Sequence, residues 1–290
     1  MKVVVTGAQG GTGKSIVNVL RDAGHDVTGV DIKPGDFWDG QYHRCDLTDG
    51  AGVHDLLARQ HAVVHFGSLP TDGWTTWEDT YRNLSLGGYH ILQACANLGI
   101  KRLVMASSPE IYGSNLEVPY LPVDEDTPAN PGSIYGATKQ NLEMLAQHYV
   151  RWHGMAIAAL RPQRIVYHGS YEWRFRRFTE NDNNAIDALW SYIDARDVAT
   201  ACQAWIESDI QGFEAFNVSA DDVCVTTETK KLIAEHYSHV TDIRGDLPDR
   251  TGLVDCSKLK RMLGWKPVHH WQQMAAESEE QGFGKDAPPR

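Results

Sequence analysis

The chain has 290 residues, 42% hydrophobic and 22% charged, enough to bury one large core or two unequal lobes. Its 38 acidic against 27 basic residues leave a net charge of −11, which argues against a nucleic-acid partner, and no apolar run is long enough to span a bilayer. Five scattered cysteines at neither metal nor redox spacing, and a first strand starting at Lys2 with no room for a signal peptide, make the cytoplasm the expected location.

From the N-terminus, short apolar runs alternate with helical periodicities, the pattern of βαβ units on a parallel sheet. The spacing predicts strands over 3–6, 26–31, 42–44, 62–66, 102–106 and 156–160. Between them it predicts helices over 12–23, 52–59, 76–98 and 135–153, with a loop rich in proline and acids at 119–131. Beyond Arg161 the pattern loosens, and 169–184 is charged and aromatic without a clear period. A helix over 195–207, a strand over 216–218 and a helix over 227–236 follow. The fold class is therefore α/β, a doubly wound parallel sheet of Rossmann type. Residues 1–160 are expected to form the sheet domain, including a helix that starts at Tyr135. Residues 161–281 form a smaller, substrate-binding lobe interwoven with it, and 282–290 a frayed tail.

Two motifs carry chemistry. Gly7, Gly10 and Gly13 stand three apart between a strand and a helix. Glycines there allow the sharp turn off the strand, the approach of backbone to a pyrophosphate, and close packing of helix on strand. The helix beginning near Thr12 offers its free amides to the phosphates. Asp31, ending the next strand, can accept both adenosine ribose hydroxyls and repel a 2′-phosphate, which favours NAD over NADP, although Lys33 two residues on softens that preference. The second motif is Tyr135 with Lys139, one helical turn apart. A free tyrosine, with a pKa near 10, is too weak a base at neutral pH, whereas an adjacent ammonium favours the phenolate. The thirteen histidines, among them His236, His239, His269 and His270, come without acids or cysteines to complete a site, so no metal is expected.

With these residues the chain resembles the extended short-chain dehydrogenase/reductases of the NAD-dependent epimerase/dehydratase type. The resemblance runs through the glycine turn, Asp31, Cys45-Asp46-Leu47-Thr48, His65-Phe66-Gly67-Ser68, Asn83, Ser107-Ser108, Ile111-Tyr112-Gly113 and Tyr135 with Lys139. It continues in Leu160-Arg161-Pro162, in the run from Asp194 to Ala199, in Phe216-Asn217-Val218 and in Leu263-Gly264-Trp265-Lys266-Pro267. It implies a cofactor set of Gly7, Gln9, Gly10, Gly11, Thr12, Gly13, Asp31, Asp46, Leu47, Phe66, Gly67, Ser68, Asn83, Ser107, Tyr135 and Lys139. The implied catalytic trio is Ser108, Tyr135 and Lys139, with Ser107 as the alternative serine. A homodimer formed by pairing the long helix and the tyrosine helix is also implied, and Leu142, Leu145 and Ala146 form a stripe that suits either that pairing or packing on the sheet.

Departures from the family pattern narrow the activity. Pro109 stands where 4,6-dehydratases place their general acid, which argues against dehydration; Glu110 beside it is a substrate contact or a loop carboxylate. The interval from Pro162 to Asp194 is short for clasping a nucleotide, Trp190 replaces an expected arginine and Arg164 an expected asparagine. These changes suit a free sugar, sugar acid or sugar phosphate, with Glu110, Arg164, Arg174 and Trp190 as candidate substrate contacts. The arginine expected of a uronate dehydrogenase falls at Ala185. The expected activity is NAD-dependent hydride abstraction from a carbinol of a sugar-like substrate, as a dehydrogenase or as an epimerase that retains its cofactor. A non-catalytic dinucleotide sensor on the same fold is the reading from another class.

Overall fold

The computed structural model describes residues 1–35, 41–69, 73, 75–113, 117–167, 170–171 and 181–280, the side chains of the last three excepted. In chain order the first half comprises β1 (Lys2–Thr6), α1 (Gly11–Asp22), β2 (Asp26–Asp31), β3 (Tyr42–Arg44), α2 (Gly50–Leu57), β4 (Ala62–His65), α3 (Trp77–Leu98) and β5 (Arg102–Ala106). A 3-10 turn at Pro109–Tyr112, β6 (Tyr120–Leu121), α4 (Ile134–His153), β7 (Ala156–Pro162) and β8 (Arg164–Val166) follow. A second 3-10 turn (Asp182–Ala188), β9 (Tyr192–Asp194), α5 (Ala195–Glu207), β10 (Gly212–Val218), α6 (Thr229–His236), β11 (Asp242–Ile243), α7 (Ser257–Leu263) and α8 (Trp271–Glu280) complete it.

Seven strands form one parallel sheet in the order β10-β7-β5-β4-β1-β2-β3. Because successive side chains of a strand point to opposite faces, each strand feeds two cores. Val3 and Val5 of β1, Val104 of β5 and Ala158 and Leu160 of β7 face α1 and α5, where they meet Ile16, Leu20, Val198 and Trp205. Val4, Val63, Leu103 and Ile157 face α2, α3 and α4, where they meet Leu57, Ile91, Leu92 and Ala146. Both faces are covered, so the strands read as nearly continuous apolar runs. The chain winds outward from β1 through β2 to β3 and, in the other direction, from β4 through β5 to β7. The crevice beyond the carboxyl ends of β1 and β4 lies where the winding reverses, the usual ligand site of such sheets.

The helices that border this crevice have well-defined ends. Thr76 caps α3 by accepting the Asp79 amide at 3.1 Å, and Gly99 closes it in the left-handed conformation. Ser133 caps α4 by accepting the Gly136 amide at 2.9 Å, with Gly154 closing the other end. α3 and α4 approach so closely that a Cβ on Gly88 would stand 2.6 Å from Leu142. Leu142 and Ala146 are thereby buried in the core of this face, so the stripe they belong to packs within the chain.

The remaining elements include two short sheets whose strands come from distant parts of the sequence. β6 pairs with β11, and β8 with β9. Residues 120–121, predicted as loop, thus join a strand more than a hundred residues downstream. β10 begins four residues earlier than its apolar run suggests, because its whole length pairs with β7, Gly212 opposite Ala156 and Val218 opposite Pro162. The tail 282–290 lies outside the described residues. No helix among the described residues is long and apolar enough to cross a membrane.

Candidate active site

β1 ends at Thr6 and turns at Gly7, whose φ of 74° lies in the left-handed region. A Cβ there would sit 2.6 Å from the Phe66 carbonyl oxygen, and one on Gly13 would collide with the Gly7 carbonyl. The turn therefore brings the first turn of α1 directly onto β1 and the end of β4. The residue preceding α1, Gly10, supplies no side-chain cap, and the first turn carries no acid. Helical geometry leaves the amides of Gly11, Thr12 and Gly13 without intrahelical acceptors, and the positive end of the helix favours an anion there. Asp31 closes the cradle from β2: one carboxylate oxygen accepts the Gln9 amide at 3.0 Å and the other the Lys33 amide at 3.1 Å. Each oxygen keeps acceptor capacity for a hydroxyl. This cradle, built of glycines whose backbones pack too closely for side chains and lined by unclaimed amides, fits a dinucleotide.

Further residues of the expected cofactor set lie beyond the ends of β3 and β4 and on α3. Asp46 accepts both the amide and the hydroxyl of Thr48 at 2.9 Å, fixing the turn before α2, and the Leu47 carbonyl accepts from His90 Nδ1 at 2.9 Å. Gly67 packs so tightly that a Cβ would lie 2.8 Å from Leu47 and 2.9 Å from Thr6 Oγ1, which accepts the Gly67 amide at 3.0 Å. Phe66 is partly buried against the core, and Asn83 on α3 holds the segment after β4 by accepting the Leu69 amide at 3.2 Å.

Tyr135 and Lys139 lie in the first two turns of α4, both buried, with the ammonium 5.4 Å from the centre of the phenol ring. Lys139 Nζ donates to the Ala106 carbonyl at 2.8 Å and to Ser68 Oγ at 3.3 Å, so it sits at the carboxyl ends of β5 and β4. Burial lowers its pKa to about 8, opposed by the carboxylates of Glu143 and Glu110. Ser108 Oγ accepts the Glu110 amide at 3.1 Å and caps the 3-10 turn. The other serine is engaged differently: Ser107 Oγ donates to Glu143.

Sequence reasoning missed Glu143, one turn beyond Lys139. It is 5% exposed and receives Arg161 through Nε at 3.0 Å and Nη2 at 2.6 Å, a two-pronged buried ion pair. Arg161 also donates to the Tyr112 hydroxyl at 2.8 Å, and that hydroxyl donates to Asn217 Oδ1 at 2.8 Å. The family-like residues Tyr112, Arg161 and Asn217 are thus one network beneath the crevice. Four-residue spacing from Lys139 was the available signal for Glu143. His65 was also missed as a site neighbour. It is buried 2.8 Å from Thr6 Oγ1, and burial together with the nearby Lys139 holds its pKa down at about 3.

The four candidate substrate residues fare differently. Glu110 accepts from Ser133 Oγ at 2.8 Å and so braces the cap of α4. Arg164 donates to Asp187 at 2.8 Å. Trp190 is a correction: it is 0% exposed, its indole donates to the Asp182 carbonyl at 2.7 Å and its ring packs beside His236 and Tyr237. No face of it is left for a sugar. Arg174, with the neighbouring Trp173, Arg176 and Arg177 and with Trp74, lies outside the described residues. Ala185 is buried in the 3-10 turn. Among the described residues, no three His, Cys, Asp or Glu side chains are grouped to hold a metal. His269 instead contacts the buried Asp197 at 2.9 Å.

A doubly wound sheet with a glycine-lined cradle at its reversal point defines a dinucleotide-binding protein of Rossmann type. The chain belongs to the NAD dependent epimerase/dehydratase family, whose pattern matches residues 3–219. It is 31% identical over 318 aligned positions to a UDP-glucose 4-epimerase of Lactobacillus helveticus, covering 93% of each chain. It is 30% identical over 165 positions to a uronate dehydrogenase of Pseudomonas syringae pv. tomato, covering 55% of this chain and 58% of that one. Against that relative and two others, an uncharacterized Escherichia coli protein and a uronate dehydrogenase of Pseudomonas putida, the chain spans only 53–59% of their length. The fold is similar to that of a short-chain dehydrogenase/reductase superfamily protein of Agrobacterium tumefaciens with bound NAD. The two are 22% identical, with a TM-score of 0.75 and coverage of 97% of this chain and 100% of that one.

Proposed function

We propose that the protein is an NAD-dependent oxidoreductase acting on a carbinol of a small sugar-like molecule: a free sugar, a sugar acid or a sugar phosphate. The observation that carries the reading is the buried Lys139 ammonium beside the Tyr135 ring, anchored to Ser68 and Ala106 at the mouth of the glycine cradle. Gly11, Thr12 and Gly13 would hold the pyrophosphate and Asp31 the adenosine ribose. When bound, NAD supplies the acceptor for the hydride that leaves the carbinol carbon. Tyr135 takes the hydroxyl proton as the C–O bond becomes a carbonyl, and Lys139 stabilises the negative charge on the phenol oxygen. Ser108 accepts an amide with its oxygen and so presents its O–H to the substrate oxygen, where negative charge develops. Glu110, through Ser133, sets where α4 begins and hence where Tyr135 stands.

The experiment is a panel of aldoses, uronates, sugar phosphates and UDP-sugars with NAD, following reduced nicotinamide and product stereochemistry. Accumulation of NADH with a free sugar or sugar acid supports the reading, and NADH with none of the panel counts against it. A second reading, a nucleotide-sugar epimerase that returns the hydride, is favoured by the end-to-end likeness to the Lactobacillus epimerase. It predicts an inverted UDP-sugar without net NADH. A sensor without catalysis predicts that Tyr135→Phe leaves the biological effect unchanged.

A further inference from the structure

Residue 11 is a glycine at the first position of α1, and the space its side chain would take is not open. A Cβ built there would lie 2.5 Å from both Cγ and Cδ2 of Tyr167 and 2.7 Å from Cδ1. An aromatic ring from a point 156 residues downstream therefore lies flat over the Gly11 backbone. It is held there by its own turn: the Tyr167 amide donates to Ser170 Oγ at 2.9 Å, and the hydroxyl and amide of Ser170 return to the Tyr167 carbonyl at 2.7 and 2.8 Å. Ser170 is 1% exposed, so this clasp is shielded from water. The neighbouring Gly10 has no such neighbour; its Cβ would meet Gly7 O at 3.2 Å and nothing nearer.

Resting on the NAD reading above, we infer that Tyr167 is a wall of the dinucleotide site and a positioning residue for the pyrophosphate. Its ring replaces the side chain that residue 11 lacks. The first-turn amides of α1 bind an anion more strongly where water is kept away, because the interaction is less screened. A ring over Gly11 covers one flank of those amides. Since Tyr167 directly follows β8, the same contact ties the start of the segment between β8 and β9 to the cradle.

The test is calorimetric binding of NAD and of ADP-ribose, which needs no turnover. Tyr167→Ala should weaken both about tenfold while the thermal midpoint of the NAD-free protein stays put, and Tyr167→Phe should bind as the parent does. Gly11→Ala alone should lose affinity because of the ring, and should regain part of it when combined with Tyr167→Ala. The exchange variant, Gly11→Tyr with Tyr167→Gly, should bind more tightly than Tyr167→Ala. Parental affinity in Tyr167→Ala, tighter binding in it, or loss in Tyr167→Phe equal to that in Tyr167→Ala would each overturn the inference alone. A parent chain that binds neither ligand would overturn the NAD reading and this inference with it.

Discussion

Replacing Glu143 by Gln tests whether the buried network beneath the crevice supports the site electrically as well as structurally. The carboxylate is 5% exposed and receives two guanidinium contacts from Arg161, at 2.6 and 3.0 Å, with Ser107 as a third donor. Gln preserves shape but removes the charge, leaving Arg161 cationic and buried with the neutral Tyr112 hydroxyl as a side-chain partner. Breaking one side of a buried pair costs about 3–5 kcal/mol. For a chain of this size that lowers the thermal midpoint by roughly 10 °C. The second consequence is local. Glu143 is the largest influence opposing the desolvation of Lys139, whose pKa is about 8. Without it the ammonium loses its proton nearer neutrality, so the alkaline decline in kcat/KM should begin at lower pH in the variant than in the parent. Thermal unfolding by calorimetry and a pH profile of kcat/KM with NAD in excess measure the two effects separately. A variant that melts with the parent and keeps the same alkaline limb would refute the reasoning. A lowered midpoint with an unshifted limb would confine Glu143 to holding Arg161.

Tyr135→Phe should abolish turnover while leaving NAD binding near the parental value, as seen by titrating the variant in a calorimeter; retained turnover would remove the phenol from the chemistry. Asp31→Ala should raise the ratio of kcat/KM for NADP over NAD about tenfold, since the carboxylate would hold ribose hydroxyls and repel a 2′-phosphate; an unchanged ratio would strip it of that role. His65, with its folded pKa depressed to about 3 from 6.5, contributes a penalty that is absent above the unfolded pKa and grows as pH falls through the window from 6.5 to 3. At pH 4.5 it amounts to about 3 kcal/mol, so His65→Gln should lose less stability between pH 7 and 4.5 in guanidinium titrations than the parent does. Finally, Tyr89, Met144 and Trp152 leave 41, 53 and 62% of their surface exposed on α3 and α4. If those helices pair in a homodimer, Tyr89→Glu with Trp152→Glu should sediment as a monomer where the parent sediments as a dimer.

What the sequence made legible was local. The glycine turn, Asp31 at a strand end and Tyr135 four residues before Lys139 are short-range patterns whose geometry follows from strand and helix periods alone. For the same reason β2, β3, β5 and α5 have the predicted bounds. The lobe was less legible because its strands are two or three residues long and owe their existence to partners far away, as Tyr120 does to Asp242. Neither α7 nor α8 was anticipated; among their anchors, Leu259 and Met274 are fully buried and Trp271 nearly so against the main core, a tertiary fact with no period to announce it. Trp190 reads as a candidate substrate contact because it takes the place of an arginine in the family pattern. Its complete burial is decided by His236 and Tyr237 from α6 and the turn after it. Arg161 and Asn217 were visible as motif residues, but their shared purpose required the carboxylate of Glu143 and the hydroxyl of Tyr112 to be seen between them.

The placement of β10 has a consequence for anyone who would divide this protein. After Pro162 the chain leaves to build part of the lobe, then returns to lay seven residues along the outer margin of β7. A fragment ending near residue 160 would bare that margin: a wholly apolar ribbon of unpaired amides and carbonyls, open to any similar ribbon it met. Such a fragment should clump rather than fold. The chain after residue 162 is therefore not an interchangeable module, and a chimera that swaps it must carry its own closing strand.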